Sequence, residues 1–110
     1  NNMVELVICN NDGMAEGAVS ALNTIGYNLA GGDKFIPVFG VDATDAAKSL
    51  IAKGSMVGTI RQDSDGMAQA LTTLVENGLA GEALLKNTDI YTVDDNVAKI
   101  RIAYAKYLGE

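Results

Sequence analysis

The sequence predicts an α/β protein in which a parallel β-sheet is flanked by helices. Between Val4 and Gly78, a unit made of an apolar segment, a polar turn and a segment with apolar residues at helical spacing occurs three times. The apolar segments lack a polar face, which is typical of parallel strands covered on both sides. Strands that alternate with helices in this way connect as βαβ units.

The predicted strands comprise residues 4–10 (VELVICN), 35–41 (FIPVFGV) and 56–62 (MVGTIRQ). Asp12 occupies the expected N-cap of the first helix, and Asp63 or Ser64 that of the third; Asp42 and Thr44 mark the turn before the second. Glycines at or near the expected helix ends are typical C-terminal signals. After Gly81 the alternation stops, and DIYTVDDNVAKIRIAY predicts two short strands around an Asp-Asp-Asn turn.

Composition excludes several classes of function. The chain has 110 residues, 48% of them hydrophobic, and a net charge of -6, which disfavours disorder and a nucleic-acid partner. It contains no His, so it cannot supply a Ser-His-Asp or Cys-His catalytic group by itself. Cys9 is the single cysteine, lies in an apolar run, and is expected to be a buried, inert thiol. We therefore assign no catalytic residue.

Polar side chains follow each of the three predicted strands. Asn11 comes after the first, Asp42 after the second and Gln62 after the third. In open parallel sheets, ligands bind outside the carboxyl ends of the strands. Carboxylates and carboxamides suit a neutral polyhydroxyl ligand, because hydroxyls both donate and accept hydrogen bonds. Turn and capping chemistry is the other interpretation of these residues, and the more ordinary one for Asp12 and Asp63.

Three stretches resemble one known family: LVICNNDGMAEGAVSAL, IPVFGVDATDAAKSLIAKGSMVGTIRQD and the tail VAKIRIAY. The family is that of the sugar-binding proteins of bacterial ABC importers, of periplasmic-binding type I, and within it the galactose/glucose-binding branch. The resemblance implies two lobes of Rossmann-like topology that close on one sugar. It also implies that Asn11, Asp42 and Gln62 contact sugar hydroxyls. Galactose/glucose members usually carry Asn at the third position, and Gln62 is more similar to the ribose-binding branch.

The resemblance carries further expectations about ligand, partner and location. It implies a monosaccharide ligand, a membrane permease of an ABC transporter as partner, no nucleic-acid partner, no catalysis and no required cofactor. It implies a periplasmic or other extracytoplasmic location, including lipid anchoring at the cell surface. Galactose-binding members hold a structural calcium with the help of a Glu that matches Glu5. A solvent-facing Glu5 at a strand start is the alternative.

The resemblance also implies that the chain is a fragment of a considerably longer protein. Residues 1–62 would belong to the C-terminal sugar-binding lobe. Residues 63–92 would pack on the N-terminal lobe, and residues 93–110 would return to the C-terminal lobe. A helix made to pack on an absent lobe leaves an apolar stripe uncovered. We therefore expect the 110-residue chain to self-associate.

Two other classes of function remain as alternatives. The first is the effector-sensing domain of a lac-repressor-type transcription regulator, which would carry a helix-turn-helix upstream. The stretch KSLIAKGSMVGTIRQD is more similar to the transporter branch than to that class. The second is a Rossmann-like enzyme. It is disfavoured because Gly31-Gly32 follows a helix, whereas a phosphate-binding loop opens one.

Overall fold

The computed structural model of the protein describes residues 4–94 and 99–110, which form two compact units. The first contains Asn1–Gln62 and Ala105–Glu110, and the second contains Asp63–Tyr104. In chain order the elements are β1 (Val7–Ile8), α1 (Asp12–Thr24), β2 (Val38–Val41), α2 (Asp45–Ala52), β3 (Gly58–Arg61), α3 (Ser64–Leu79), β4 (Thr92–Asp94), β5 (Lys99–Arg101) and β6 (Ala105–Tyr107).

The first unit is built on a four-stranded sheet in the order β1-β2-β3-β6. The first three strands run parallel, and β6 pairs antiparallel with β3. Two helices, α1 and α2, connect the parallel strands. The expected α/β fold with a Rossmann-like parallel sheet is thereby confirmed, and the carboxyl ends of β1, β2 and β3 lie at one edge of the sheet.

The strands are shorter than the sequence predicted, and β1 is the shortest. Among the described residues it pairs only with β2, through Val7 with Val38 and Ile8 with Phe39. The Val7 N–H donates to the carbonyl of Pro37 at 2.9 Å. Pro37 has no N–H with which to continue the ladder toward Val4, so regular pairing begins only at Val7.

The core of the first unit lies between one face of the sheet and the helices α1 and α2. Its fully or nearly fully buried members come from both helices and from the strands and their flanks: Cys9, Ala15, Val19, Val38, Ala47, Ile51 and Met56. The expected burial of Cys9 is confirmed. Successive right-handed βαβ connections that advance in one direction place their helices on the same face of a sheet.

The expectation that the strands are covered on both faces is wrong for the described chain. Ile8 is 75% exposed and Leu6 is 48% exposed. Both have the strand parity opposite to the core residue Cys9. The reason is topological, because α1 and α2 cover only the face on which the core lies.

The second unit joins α3 to a two-stranded antiparallel hairpin of β4 and β5. The α3 stripe is only partly covered: Ala70 is buried, whereas Leu71 is 62% and Val75 is 59% exposed. The Asn77 side chain stabilises the segment that follows α3, because its Nδ2 donates to the carbonyls of Leu84 and Lys86. The predicted Asp-Asp-Asn turn begins at Asp94 of β4, and its next two positions lie outside the described residues.

The chain passes between the two units at two points. The first boundary falls between Gln62 and Asp63. The second falls between Tyr104 and Ala105, because β4 and β5 pair with each other while β6 pairs with β3. The assignment of these segments to lobes of a larger protein stays a prediction.

Residues 4–94 and 99–110 include no helix that is both long enough and apolar enough to cross a membrane.

Our first prediction concerns the start of α3. The Asp63 carboxyl accepts from the Gly66 N–H at 3.0 Å, which confirms Asp63 as the N-cap. Asp63→Ala should lower the free energy of unfolding by about 1 kcal/mol, because one N–H of the first turn loses its partner. Urea unfolding followed by circular dichroism measures this loss. Asp63→Ser, which keeps a capping oxygen, should recover most of it; equal losses for both variants would contradict the capping role.

Candidate functional site

The candidate site lies at the carboxyl ends of β1, β2 and β3. Asn11, Asp42 and Gln62 follow these strands at the same edge of the sheet, because the three strands run parallel in a fixed register. Gln62 donates from its side-chain Nε2 to Asp42 Oδ1 at 2.9 Å. The structure therefore brings two of the three predicted residues into direct contact, and it places Asn11 at the end of the neighbouring strand.

Asn11, and not Asp12, is the N-cap of α1. Asn11 has an extended backbone, and its Oδ1 accepts from the Met14 N–H at 2.9 Å. The prediction that Asp12 caps this helix is therefore wrong. Asp12 is the first helical residue, and its side chain turns into the protein instead. Because the cap uses Oδ1, the Asn11 Nδ2 group, which bonds to no described residue, can donate to a ligand.

The Asp12 carboxyl is fully buried, at 0% exposure, and is hydrogen-bonded through both oxygens. Oδ1 accepts from the Thr59 hydroxyl at 2.6 Å, and Oδ2 accepts from the Thr44 N–H at 2.8 Å. Burial of a polar group is tolerated when it is bonded in this way. Asp12 thereby joins the start of α1 to β3 and to the loop between β2 and α2.

Gly40 allows Asp12 to reach across β2. A Cβ at Gly40 would overlap Asp12 Oδ1 and would lie 3.0 Å from the end of the Met56 side chain. No side chain other than hydrogen fits in that space. A glycine inside a strand is the one signal in the sequence that could have indicated this close approach.

The loop that carries Asp42 has an unusual backbone. Asp42 has a φ of 118° and Ala43 a φ of 56°, both in a region that L-residues rarely adopt. The Asp42 N–H donates to the carbonyl of Ile60 at 2.8 Å, and the Ala43 N–H donates to the Thr59 hydroxyl at 3.3 Å. Strained backbone is often found at functional sites, and it persists where the surroundings hold it.

The site offers hydrogen-bonding groups of both kinds to a ligand. The oxygens Asp42 Oδ2 and Gln62 Oε1 can accept, since neither takes part in a hydrogen bond with a described residue. Asn11 Nδ2 can donate. Asp42 and Asn11 are exposed, and Gln62 is half-buried. The arrangement can therefore bind a neutral group that donates and accepts at adjacent positions.

Glu5 is exposed and lies before β1. Within the described ranges, no group of three or more His, Cys, Asp or Glu side chains is placed to hold a metal ion. A role for Glu5 in a calcium site completed by other segments stays a prediction.

Comparison with known proteins identifies the family. Residues 1–83 match the periplasmic binding protein domain family, so the chain belongs to it. The chain is 37% identical over 99 residues to the D-galactose/methyl-galactoside binding periplasmic protein MglB of Haemophilus influenzae, covering 90% of this chain and 28% of that protein. It is 31% identical over 99 residues to a putative rhizopine-binding protein of Rhizobium meliloti, covering 90% of this chain and 30% of that protein. The chain thus spans less than a third of the length of these relatives, and both are named as binding proteins.

Our second prediction tests the close approach at Gly40. Gly40→Ala should lower the free energy of unfolding by about 1–3 kcal/mol, because the added methyl group displaces the Asp12 carboxyl or the strand. Gly17→Ala is the matched control, since a Cβ at Gly17 of α1 would meet nothing within 4 Å. It should raise stability by about 0.5–1 kcal/mol, as expected for Gly to Ala within a helix. Urea unfolding of both variants gives the comparison, and a neutral Gly40→Ala would contradict the packing described.

Proposed function

We propose that this chain is part of the solute-binding component of an ABC sugar importer and that it binds a monosaccharide through Asn11, Asp42 and Gln62. The observation that carries the proposal is the hydrogen bond from Gln62 to Asp42 at the carboxyl end of the parallel sheet. It joins side chains from two strand ends into one group, at the place where ligands bind in open α/β sheets.

The free atoms of this group favour hydroxyls over phosphate or carboxylate. The Gln62–Asp42 bond leaves two oxygens available as acceptors, and the capping bond of Asn11 leaves a donor. Neighbouring sugar hydroxyls can donate to the first two and accept from the third. An anionic ligand would meet the Asp42 carboxyl in a chain whose net charge is already -6. Electrostatics therefore supports a neutral ligand.

The comparisons support the same class of ligand. One relative is named for D-galactose and methyl-galactoside, which are a monosaccharide and its glycoside. By this similarity we assign a galactose- or glucose-like sugar, a periplasmic or other extracytoplasmic location, and a membrane permease of an ABC transporter as partner. The proposed role is binding without catalysis, in line with the relatives, which are named as binding proteins.

The full-length protein would hold the sugar between two lobes that close on it. The lobe that carries Asn11, Asp42 and Gln62 would supply one side of the cleft. Hinged closure around a ligand is an established mode of conformational change in periplasmic binding proteins, and the closed form would be the one that docks on the permease.

Our third prediction tests Asp42 as a sugar ligand in the full-length protein. Asp42→Ala should weaken the binding of D-galactose by about 1.5–3 kcal/mol, because a charged acceptor is removed from the sugar hydroxyls. Isothermal titration calorimetry measures the change.

Asp63→Ala is the matched control. It also removes a carboxyl group next to the site, but Asp63 directly follows Gln62 and its carboxyl caps α3. Its affinity for D-galactose should equal that of the unchanged protein. An Asp42→Ala variant that binds as tightly as this control would remove Asp42 from the site.

Our fourth prediction concerns the 110-residue chain alone. Apolar side chains of α3 and of one sheet face are exposed in it, including Leu71, Val75 and Ile8. Each large apolar side chain left in water forgoes about 1.5–3 kcal/mol of burial energy, so a second copy that covers them is favoured. Sedimentation velocity should show a dimer or larger species at micromolar concentration, with feeble sugar binding. A compact monomer across that range would contradict the prediction.

A further inference from the structure

The backbone of the loop after β2 does not have a conformation that its own residues prefer. Asp42 and Ala43 are consecutive non-glycine residues with φ of 118° and 56°. Most L-residues avoid these values because the Cβ crowds the neighbouring carbonyl. The direction in which the Asp42 side chain leaves the backbone depends on this conformation, so whatever holds the loop also orients the Asp42 carboxyl.

Three consecutive backbone N–H groups of the loop donate hydrogen bonds that hold it, and two of the three acceptors are buried side chains. The Asp42 N–H is bonded to the Ile60 carbonyl of β3. The Ala43 N–H donates to the Thr59 hydroxyl at 3.3 Å, and the next N–H, that of Thr44, donates to the Asp12 carboxyl at 2.8 Å. Asp12 and Thr59 are bonded to each other at 2.6 Å. Asp12 and Thr59 together form a polar bridge that bonds to the consecutive loop residues Ala43 and Thr44.

We infer that Asp12 and Thr59 are positioning residues of the sugar site, which fix the Asp42 carboxyl where it meets both Gln62 and the ligand. The inference rests on the proposed function. Neither residue can itself touch a ligand at the surface, because Asp12 is 0% and Thr59 is 2% exposed. Their effect on binding is therefore indirect and passes through Asp42.

The Thr59 hydroxyl has two roles in this arrangement. It donates its proton to Asp12 Oδ1 and accepts from the Ala43 N–H. An apolar replacement leaves that N–H and one Asp12 oxygen without partners, and a buried polar group without a partner favours rearrangement. Residues 42 and 43 are then free to return toward negative φ, which moves the Asp42 carboxyl away from the Gln62 amide.

The experiment compares Thr59→Val with Thr59→Ser in the full-length protein, using D-galactose and isothermal titration calorimetry well below the unfolding temperature. Thr59→Val keeps the side-chain shape and loses the hydroxyl, and it should bind D-galactose about tenfold more weakly. Thr59→Ser keeps the hydroxyl and should bind within about twofold of the unchanged protein. Thr59→Ala serves as the hydroxyl-free variant if Thr59→Val does not fold.

A matched control separates positioning from general loss of stability. Asn28 is 0% exposed, and its Nδ2 donates to the carbonyls of Ile36 and Ser55, which precede β2 and β3 at the far end of the sheet. Asn28→Asp removes these buried donations without approaching the loop. It should lower the unfolding temperature and leave the affinity for D-galactose unchanged. An equal loss of affinity in Asn28→Asp and Thr59→Val would overturn the positioning role.

A second readout does not depend on any sugar. In the ligand-free protein, the side-chain amide of Gln62 is bonded to Asp42, so its NMR resonances report on that contact. Thr59→Val should shift these resonances, and Thr59→Ser and Asn28→Asp should not. If the unchanged protein binds no monosaccharide, the proposed function is wrong. The NMR measurement still tests whether Thr59 positions the Asp42 carboxyl. The inference would be overturned if the Gln62 resonances of Thr59→Val were unshifted and, where the unchanged protein binds D-galactose, if Thr59→Val bound it with the same affinity.

Discussion

The first unit depends on the hydrogen bond between the Asp12 carboxyl and the Thr59 hydroxyl. It connects the first turn of α1 to β3 across β2. The Asp12 carboxyl fits there because Gly40 of β2 has no Cβ, which would overlap Asp12 Oδ1. A buried carboxyl group is costly without partners, and the Thr59 hydroxyl and the Thr44 N–H supply them here. The position of Asp12 at the start of a helix adds a favourable interaction with the N-terminal end of the helix dipole.

This bond also explains how a strained loop is maintained. Each residue held at an unfavourable φ costs about 1–3 kcal/mol, and Asp42 and Ala43 are two such residues in succession. The polar bridge offsets part of that cost, because it satisfies N–H groups that the loop conformation turns toward the interior. Asp12 and Asp42 therefore have different roles although both are carboxyl groups near strand ends. The first is enclosed and structural, and the second is exposed and available.

Much of the fold could be predicted from the sequence, because the pattern of apolar segments, polar turns and helical stripes is local. The three βα units, the α3 cap at Asp63 and the strand-end positions of Asn11, Asp42 and Gln62 all follow from it. The exchange of roles between Asn11 and Asp12 could not be predicted, because both side chains can cap a helix and are adjacent. The choice depends on Thr59, which is 47 residues away from Asp12 in the chain.

Strand length and the late strand β6 were beyond prediction for a related reason. A strand ends where its partner ends, and the partner that β1 has within the described part of the chain is β2, which begins just after a proline. Ala105–Tyr107 has no apolar run of its own and becomes a strand by pairing with β3. The coverage of the second sheet face was overestimated because an apolar segment in sequence shows that burial is needed, and does not show which element supplies it.

The site combines features that could be read from sequence with one that could not. Residue type and position after a strand indicated Asn11, Asp42 and Gln62, whereas the availability of their atoms depends on bonds already made within the protein. Asn11 Oδ1 accepts from its helix, and one amide proton of Gln62 is donated to Asp42. The side-chain N–H groups of Asn11 and the second N–H of Gln62 remain as donors, and Asp42 Oδ2 and Gln62 Oε1 remain as acceptors. A ligand that matches them must offer both functions on neighbouring atoms. Hydroxyls on a sugar ring do so without charge, and this supports the proposal of a neutral monosaccharide rather than an anion at an exposed carboxyl group.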